Sequence, residues 1–443
     1  MKLEDIDQSL FVLDSGNTSW MIVATALVLL MTPGLAFFYG GMVRAKSVLN
    51  MMMMSFISIA TIGVVWVVYG YGLAFGSDTL GGLFGSPSGR IGMNGVPEVA
   101  DVVDGEPVYN SLAGSAGVPF LVMVAFQATF AIITVALISG SVADRMKFAT
   151  WTIFTVLWVT LVYTPVAHGV WGGGLLGTWG PLADTPVIDF AGGTVVHINA
   201  GAAGLALAIL LGLRKGFGKE PFKPHNMPFV MLGSALLWFG WFGFNAGSEF
   251  AADATAGRAF LNTLVAPAIA VLGWLLVEKI RDGKPTSLGA ASGIVAGLVA
   301  ITPAAASVDT WGALAIGFIA GAVCSLAVAL KYKFGYDDSL DVVGVHLIGG
   351  LVGTVLIGFF ANLGEGTTWA VDGAKDGLLY GGNADQLVSQ VLGAGTAVLY
   401  SFVVTLILGL LLKVTIGLRV SEDVEVAGID LAEHGETAYE EAK

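Results

Sequence analysis

The stretch that decides the reading is DFAGGTVVHINAGAAG, from Asp189 to Gly204, together with DVVGVHLIGGLVG, from Asp341 to Gly353. Each places an Asp ahead of a His in an apolar run. Each His is followed by glycines four and seven residues on: Gly201 and Gly204 after His197, Gly350 and Gly353 after His346. On a helix these offsets share one face, and a strip of small residues lets a neighbouring backbone come close. Ionisable side chains in such surroundings usually face a cavity or a partner. A lone His in an apolar helix often does no more than bond a neighbouring helix; two at matching places of a repeat point to a shared passage.

Working outward, the chain has 443 residues, 55% hydrophobic and only 12% charged, with a mean hydropathy of +0.80. An ordinary soluble domain carries about 25% charged residues. A bilayer core about 30 Å thick takes roughly 20 apolar residues per helix. Eleven candidate spans are centred near residues 30, 64, 128, 159, 203, 237, 268, 297, 320, 351 and 401. The first begins near Trp20 with no basic region or cleavage site before it, which reads as a retained helix and not a signal peptide. The fold class is therefore an all-α polytopic membrane protein, with a transmembrane domain over 1–414 and a polar tail over 415–443.

Alternate connections and the tail carry 16 of the 20 Lys and Arg, among them Arg44, Arg145, Arg214, Lys279 and Lys331. Basic residues stay cytoplasmic, so the N-terminus is expected outside and the C-terminus inside, which needs an odd number of spans. The two histidine stretches lie in the fifth and tenth spans. Five is odd, so the halves, about 20–213 and 226–362, are expected to be inverted repeats of five helices each, followed by a last helix at about 388–414. Inverted repeats are a transporter architecture with the site near the midplane. Residues 77–116 and about 363–387 read as loops, rich in turn residues and lacking an apolar period. The tail, holding eight acids between Glu422 and Glu441, is expected either to fold onto the cytoplasmic face or to stay mobile. The net charge of -13 and the absence of a basic patch argue against nucleic acid. A single cysteine, Cys324, excludes an intrachain disulfide and a cysteine-cluster metal site.

Neutral imidazole offers one donor and one acceptor, and a low dielectric favours the uncharged form. A pore lined by such a pair suits a small polar neutral molecule and resists a bare cation. His168, near the end of the fourth span, has no mate in the repeat and reads as structural; His225 and His434 read as solvated surface. Phe126 and Phe130 share a helix face, Trp171 follows the fourth span, and Trp241, Phe244 and Ser248 lie on the sixth. Aromatic rings with a hydroxyl can hold a small cation such as ammonium, although an aromatic belt at the membrane interface gives the same composition.

The runs FQATFAIITVALISG (126–140), AHGVWGGGLLGTWG (167–180), FKPHNMPFVMLGSALLWFGWFGFNAGS (222–248) and GLRVSEDVEVAGIDLAEHGETAY (417–439), with the two histidine stretches, resemble the ammonium transporter family Amt/Mep/Rh, microbial Amt branch, from about Trp20 to Tyr439. The resemblance implies a homotrimer of eleven-helix protomers, each with its own pore and no cofactor. It implies an outer recruitment site for the ammonium ion at Phe126, Trp171 and Ser248, a gate at Phe130 and Phe244, and twin pore histidines at His197 and His346. It gives supporting roles to Asp189, Trp241 and Asp341, and a PII-type signalling protein as partner at the cytoplasmic face. The segment between Trp171 and Asp189 is longer than the family pattern.

Three rivals compete with an ammonium transporter. A water channel of aquaporin type needs Asn-Pro-Ala at two half-helix tips, whereas this chain has Asn199-Ala200-Gly201 and Asn245-Ala246-Gly247. An ammonium sensor signalling through its tail usually carries a further cytoplasmic domain. An enzyme needs more than two histidines without a third ligand or an activated nucleophile.

Overall fold

A computed structural model describes residues 10–88, 90–93, 101–103, 106–110, 117–177, 184–364 and 373–439. Among them, eleven helices are long and apolar enough to cross a bilayer: Ser15–Met42, Val48–Phe75, Phe120–Val142, Phe148–Trp171, Gly193–Leu211, Met227–Glu249, Ala254–Asp282, Ser287–Ala304, Thr310–Phe334, Val343–Phe360 and Asp385–Thr415. Each expected centre falls inside one of them. Local chemistry starts several of these helices. Asp14, Asn226, Asp253, Thr286 and Asp309 each accept a backbone N–H of the first turn, satisfying donors that the helix itself leaves unpaired.

The spans pack in a pattern that recurs five positions on. The first packs on the second and third, and the sixth on the seventh and eighth; the third meets the fifth as the eighth meets the tenth. The first and sixth join the two halves, and the fifth and tenth cross at the centre. Many of these contacts are backbone to backbone. A Cβ on Gly321 would stand 2.1 Å from the Ala270 carbonyl oxygen, and one on Gly353 2.0 Å from that of Ala300. Apolar side chains such as Val23, Leu264, Leu399 and Ile407 cover the outside and are exposed, as a lipid-facing surface requires.

The loop expected over 77–116 contains short antiparallel strands. Asp78–Thr79 pairs with Phe84–Gly85, and Glu106–Asn110 pairs with both Asp101–Val103 and Leu10–Val12. Strands of two to five residues are too short to display an alternating period, so the sequence hides them; residues 89, 94–100, 104–105 and 111–116 of this loop lie outside the described residues. The segment near 363–387 holds one 3₁₀ turn at Leu378–Tyr380, and the last helix begins at Asp385; residues 365–372 lie outside the described residues.

The tail folds back over the basic connections. Val420 N–H donates to the Arg145 carbonyl at 3.0 Å, and Lys147 N–H to that of Leu418 at 3.0 Å. Buried Glu425 accepts from Arg419 Nη2 at 2.5 Å and from Lys215 N–H at 2.7 Å. Asp430 accepts from Leu49 and Asn50 N–H at 3.0 and 2.8 Å, and Glu433 from Phe148 N–H at 3.0 Å. Two tail carboxylates thus sit at the N-termini of the second and fourth spans, where unpaired donors and the helix dipole favour negative charge. His225 and His434 are drawn in with it: His225 Nε2 lies 2.8 Å from Tyr439 Oη and His434 Nε2 3.1 Å from Asn50 Oδ1. Neither is the free surface side chain expected.

Two outcomes follow. Gly321→Val is expected to cost about 1–3 kcal/mol by overpacking, read as a lower unfolding temperature in detergent. Asp430→Ala is expected to release the tail without unfolding the spans, read as faster chymotrypsin cleavage at Leu431 and Tyr439 with an unchanged melting profile.

Candidate conduction site

Both histidines lie in π-helical turns at the start of their spans, Gly193–Ile198 and Val343–Leu347. Such turns add a residue to the helix and are frequent at functional sites. Each turn is anchored by a buried aspartate just before it. Asp189 accepts from Gly192, Thr194 and Val195 N–H at 2.9–3.0 Å, and Asp338 accepts from Val343 N–H at 2.7 Å and Ser141 Oγ at 2.9 Å. Burial raises both carboxyls, which come to about 6 against the opposing pull of backbone N–H groups on Asp189 and, for Asp338, chiefly of nearby Lys331.

Asp189 and Asp338 both precede their histidine by eight residues. Asp338 is therefore the counterpart of Asp189, and Asp341, which the sequence reading paired with it, is not. Asp341 has a left-handed backbone, φ +64, and binds Lys331 Nζ at 2.6 Å. The matching apolar run drew attention to the nearer Asp; equal spacing to the histidine was the signal that would have found Asp338.

The glycines after the histidines bring the two turns together. A Cβ on Gly201 would stand 2.4 Å from Leu347 N, and one on Gly350 2.9 Å from Ile198 Cγ1 and 3.1 Å from the Gly193 carbonyl oxygen. At this crossing His197 Nδ1 lies 3.3 Å from His346 Nδ1, with the rings stacked at 23° and 5.4 Å between centroids. One Nδ1 must donate and the other accept, so the two rings hold different tautomers when both are neutral. Both rings line a cavity of about 10 Å³ walled by Ile133, Leu137, Val196 and Trp241. That is space for about one water-sized molecule. His197 Nε2 has no protein partner among the described residues. Trp241 stacks on His197 at 22° and is itself held by a 2.8 Å bond from Nε1 to Thr302 Oγ1; sequence reading gave no signal for Thr302.

Above the histidines, Phe130 and Phe244 stack face to face, 4.1 Å apart at 19°. Phe244 also lies 6.2 Å from His197, so the stack sits directly on the pair. Phe126 packs 4.9 Å from Phe130, and Trp171 meets Phe130 edge-on at 6.1 Å. Trp171 is the last residue of its span and donates from Nε1 to the Asp189 carbonyl oxygen at 2.8 Å. Asp189 thus fixes both the histidine turn and the Trp ring. Ser248 is buried next to Gly247, which packs on the Phe126 ring, and its hydroxyl donates to the Phe244 carbonyl at 2.8 Å, which leaves its oxygen able to accept. The ten sequence-selected residues therefore fall into one column, except Asp341, which lies toward the tail face beside Lys331. His168 is buried three residues before Trp171 with Nδ1 2.9 Å from the Ala74 carbonyl oxygen, and Cys324 is buried in packing.

The model of the Ammonium Transporter Family matches residues 19–439. An ammonium transporter of Mycobacterium bovis is 57% identical over 437 residues, covering 96% of this chain and 91% of the relative. Ammonium transporter Amt1 of Archaeoglobus fulgidus is 43% identical over 427 residues, covering 96% and 100%. Among solved structures, Saccharomyces cerevisiae Mep2 matches with a TM-score of 0.82 at 34% identity, covering 93% of this chain and 88% of that one. A structure titled a sensor Amt protein matches with a TM-score of 0.82 at 29% identity, covering 95% and 98%. The family match takes in all eleven spans and the column of rings that they hold, and the chain belongs to the ammonium transporter family.

Proposed function

We propose that the chain recruits the ammonium ion at Phe126, Trp171 and Ser248, removes its proton there, and conducts ammonia past the twin histidines. The observation that carries this reading is the stacked Phe130–Phe244 pair lying directly on the 3.3 Å His197–His346 contact. The rings supply cation–π attraction and Ser248 an acceptor, replacing part of the ion's hydration. Below them, a charged group near the bilayer centre costs about 2.5–3.5 kcal/mol even on the lenient scale. A neutral molecule avoids most of that, and it is small enough to pass when two phenyl rings swing apart.

At the histidines ammonia meets nitrogens that donate and accept in turn. The proton travels separately, along the pair, so that net charge moves and uptake is electrogenic. Trp241 holds the His197 plane, and Asp189 and Asp338 hold the turns. The same reading takes the two halves as an inverted duplication, with the N-terminus outside and the tail in the cytoplasm, in keeping with the basic connections on the tail side. By family resemblance, three protomers assemble, and a PII-type protein meets the tail face.

Replacing His197 and His346 together is expected to lower ammonium-evoked current in proteoliposomes at least about tenfold, a barrier change of ~1.4 kcal/mol. An undiminished, ammonium-selective current would refute the relay. Trp171→Leu is expected to raise the KM for labelled methylammonium roughly 2- to 30-fold, the span of cation–π energies of about 0.5–2 kcal/mol. Purified protein that binds methylammonium without moving it into vesicles would favour a sensor.

A further inference from the structure

We infer that Gln390 of the eleventh span is a positioning residue for the outer site, holding the Asp189 backbone where it bonds Trp171; the inference rests on the reading of Trp171 as part of the recruitment site. Residues 186–189 are buried and belong to no helix or strand, so their backbone groups need partners from elsewhere. Gln390, itself fully buried, supplies them for Ile188. Its Oε1 accepts from the Ile188 N–H at 2.7 Å, and its Nε2 donates to the Ile188 carbonyl at 2.8 Å. An N–H only donates and a carbonyl only accepts, so the amide has a single possible orientation. Nε2 also donates to the Thr354 carbonyl of the tenth span at 3.1 Å, and Oε1 also accepts from Gln386 Nε2 at 3.1 Å. The whole donor and acceptor capacity of the side chain is thus in use. An ionised Glu of the same length would have nothing to donate to the two carbonyls.

These bonds bear on the site because Asp189 follows Ile188 directly. On its other side the Phe190 N–H donates to the Pro303 carbonyl at 3.1 Å, so Asp189 is held between the eleventh and eighth spans. From that place its carbonyl accepts from Trp171 Nε1 at 2.8 Å, while its carboxylate binds the backbone of the His197 turn. Gln386 lengthens the grip, donating from Nε2 to the Pro186 carbonyl at 3.0 Å. Val187 packs so closely on the same helix that a Cβ on Gly393 would stand 2.4 Å from its Cγ2. The last span thereby reaches the outer site through two amides. It makes a bond of another kind lower down, where Thr405 Oγ1 accepts from Trp158 Nε1 at 2.9 Å and touches none of these residues. Loss of the Gln390 amide frees Ile188 to move, and the Asp189 carbonyl and the Trp171 ring move with it. The histidines stay joined by the Gly201–Leu347 crossing, so the effect falls on capture of the ion and spares its passage.

The test uses the full chain in liposomes with 5-fluorotryptophan labelling, the Trp171 ¹⁹F signal being assigned by its loss in Trp171→Leu. Gln390→Met keeps the length of the side chain and removes its bonds. It is expected to move the Trp171 signal and to raise the KM for labelled methylammonium several-fold, with kcat little changed. Thr405→Val, which also removes a buried bond of the eleventh span, is expected to lower the unfolding temperature and to leave both the signal and the KM as they were. Should Gln390→Met fail to fold, Gln386→Met, which leaves the Ile188 bonds in place, is expected to shift both in the same direction and to a smaller extent. A Trp171 signal that stays in place in the folded variant, or a KM that stays the same there while Trp171→Leu raises it, means that Gln390 only stabilises the fold and overturns the inference. Failure of the recruitment reading is seen separately, as an unchanged KM in Trp171→Leu, and the fluorine signal then still decides the positioning.

Discussion

The structure depends on one close crossing, where the fifth and tenth spans touch backbone to backbone at Gly201 against Leu347 and Gly350 against Ile198. Apolar attraction does not hold helices together in lipid, where tails are as apolar as side chains. Packing and hydrogen bonds must do so. The missing side chains of Gly201 and Gly350 bring the axes close enough for two imidazoles to share a hydrogen. Any Cβ at Gly201 would force Leu347 outward and part the rings. The column of Phe130, Phe244 and Trp241 then stacks on a pair whose position is fixed from both sides.

Such a crossing exposes helix beginnings inside the protein, and unpaired backbone donors there are costly. Asp189 and Asp338 meet that need at the two histidine turns, and Asp430 and Glu433 meet it at the tail face. The same device, a carboxylate on a helix start, therefore orients the two histidine turns and straps the tail. At the tail face it is joined by a network in which Arg214 binds Asp337 at 2.9 Å and Asp144 at 3.4 Å, and fully buried Arg145 bonds Ser339 at 2.5 Å. This links the loops after the third, fifth and ninth spans to the tail and gives the mouth of the protein a definite shape.

The eleven spans were legible because apolar runs of this length have no soluble alternative, and the histidines because an ionisable group stands out in such a run. Asp338 escaped notice: Asp341 offered the more similar local string, and only a measured offset separates the two. The short strands near Asp78 and Glu106 were beyond reach, since ladders of two or three pairs are set by their partners and leave no period in either strand.

Sequence by itself determined that the chain crosses a membrane eleven times and that two of its spans carry matching histidines, because hydropathy and spacing are properties of the chain alone, while the rings that accompany them were picked out by resemblance to a family. Tertiary structure decided that the two imidazoles meet at Nδ1, that Phe130 stacks on Phe244, that Asp338 answers Asp189, and that the tail lies down on the spans. Those facts arise between residues as many as about 380 positions apart, where the partner of a glycine face or a carboxylate is chosen by packing and cannot be read from its neighbours in the chain.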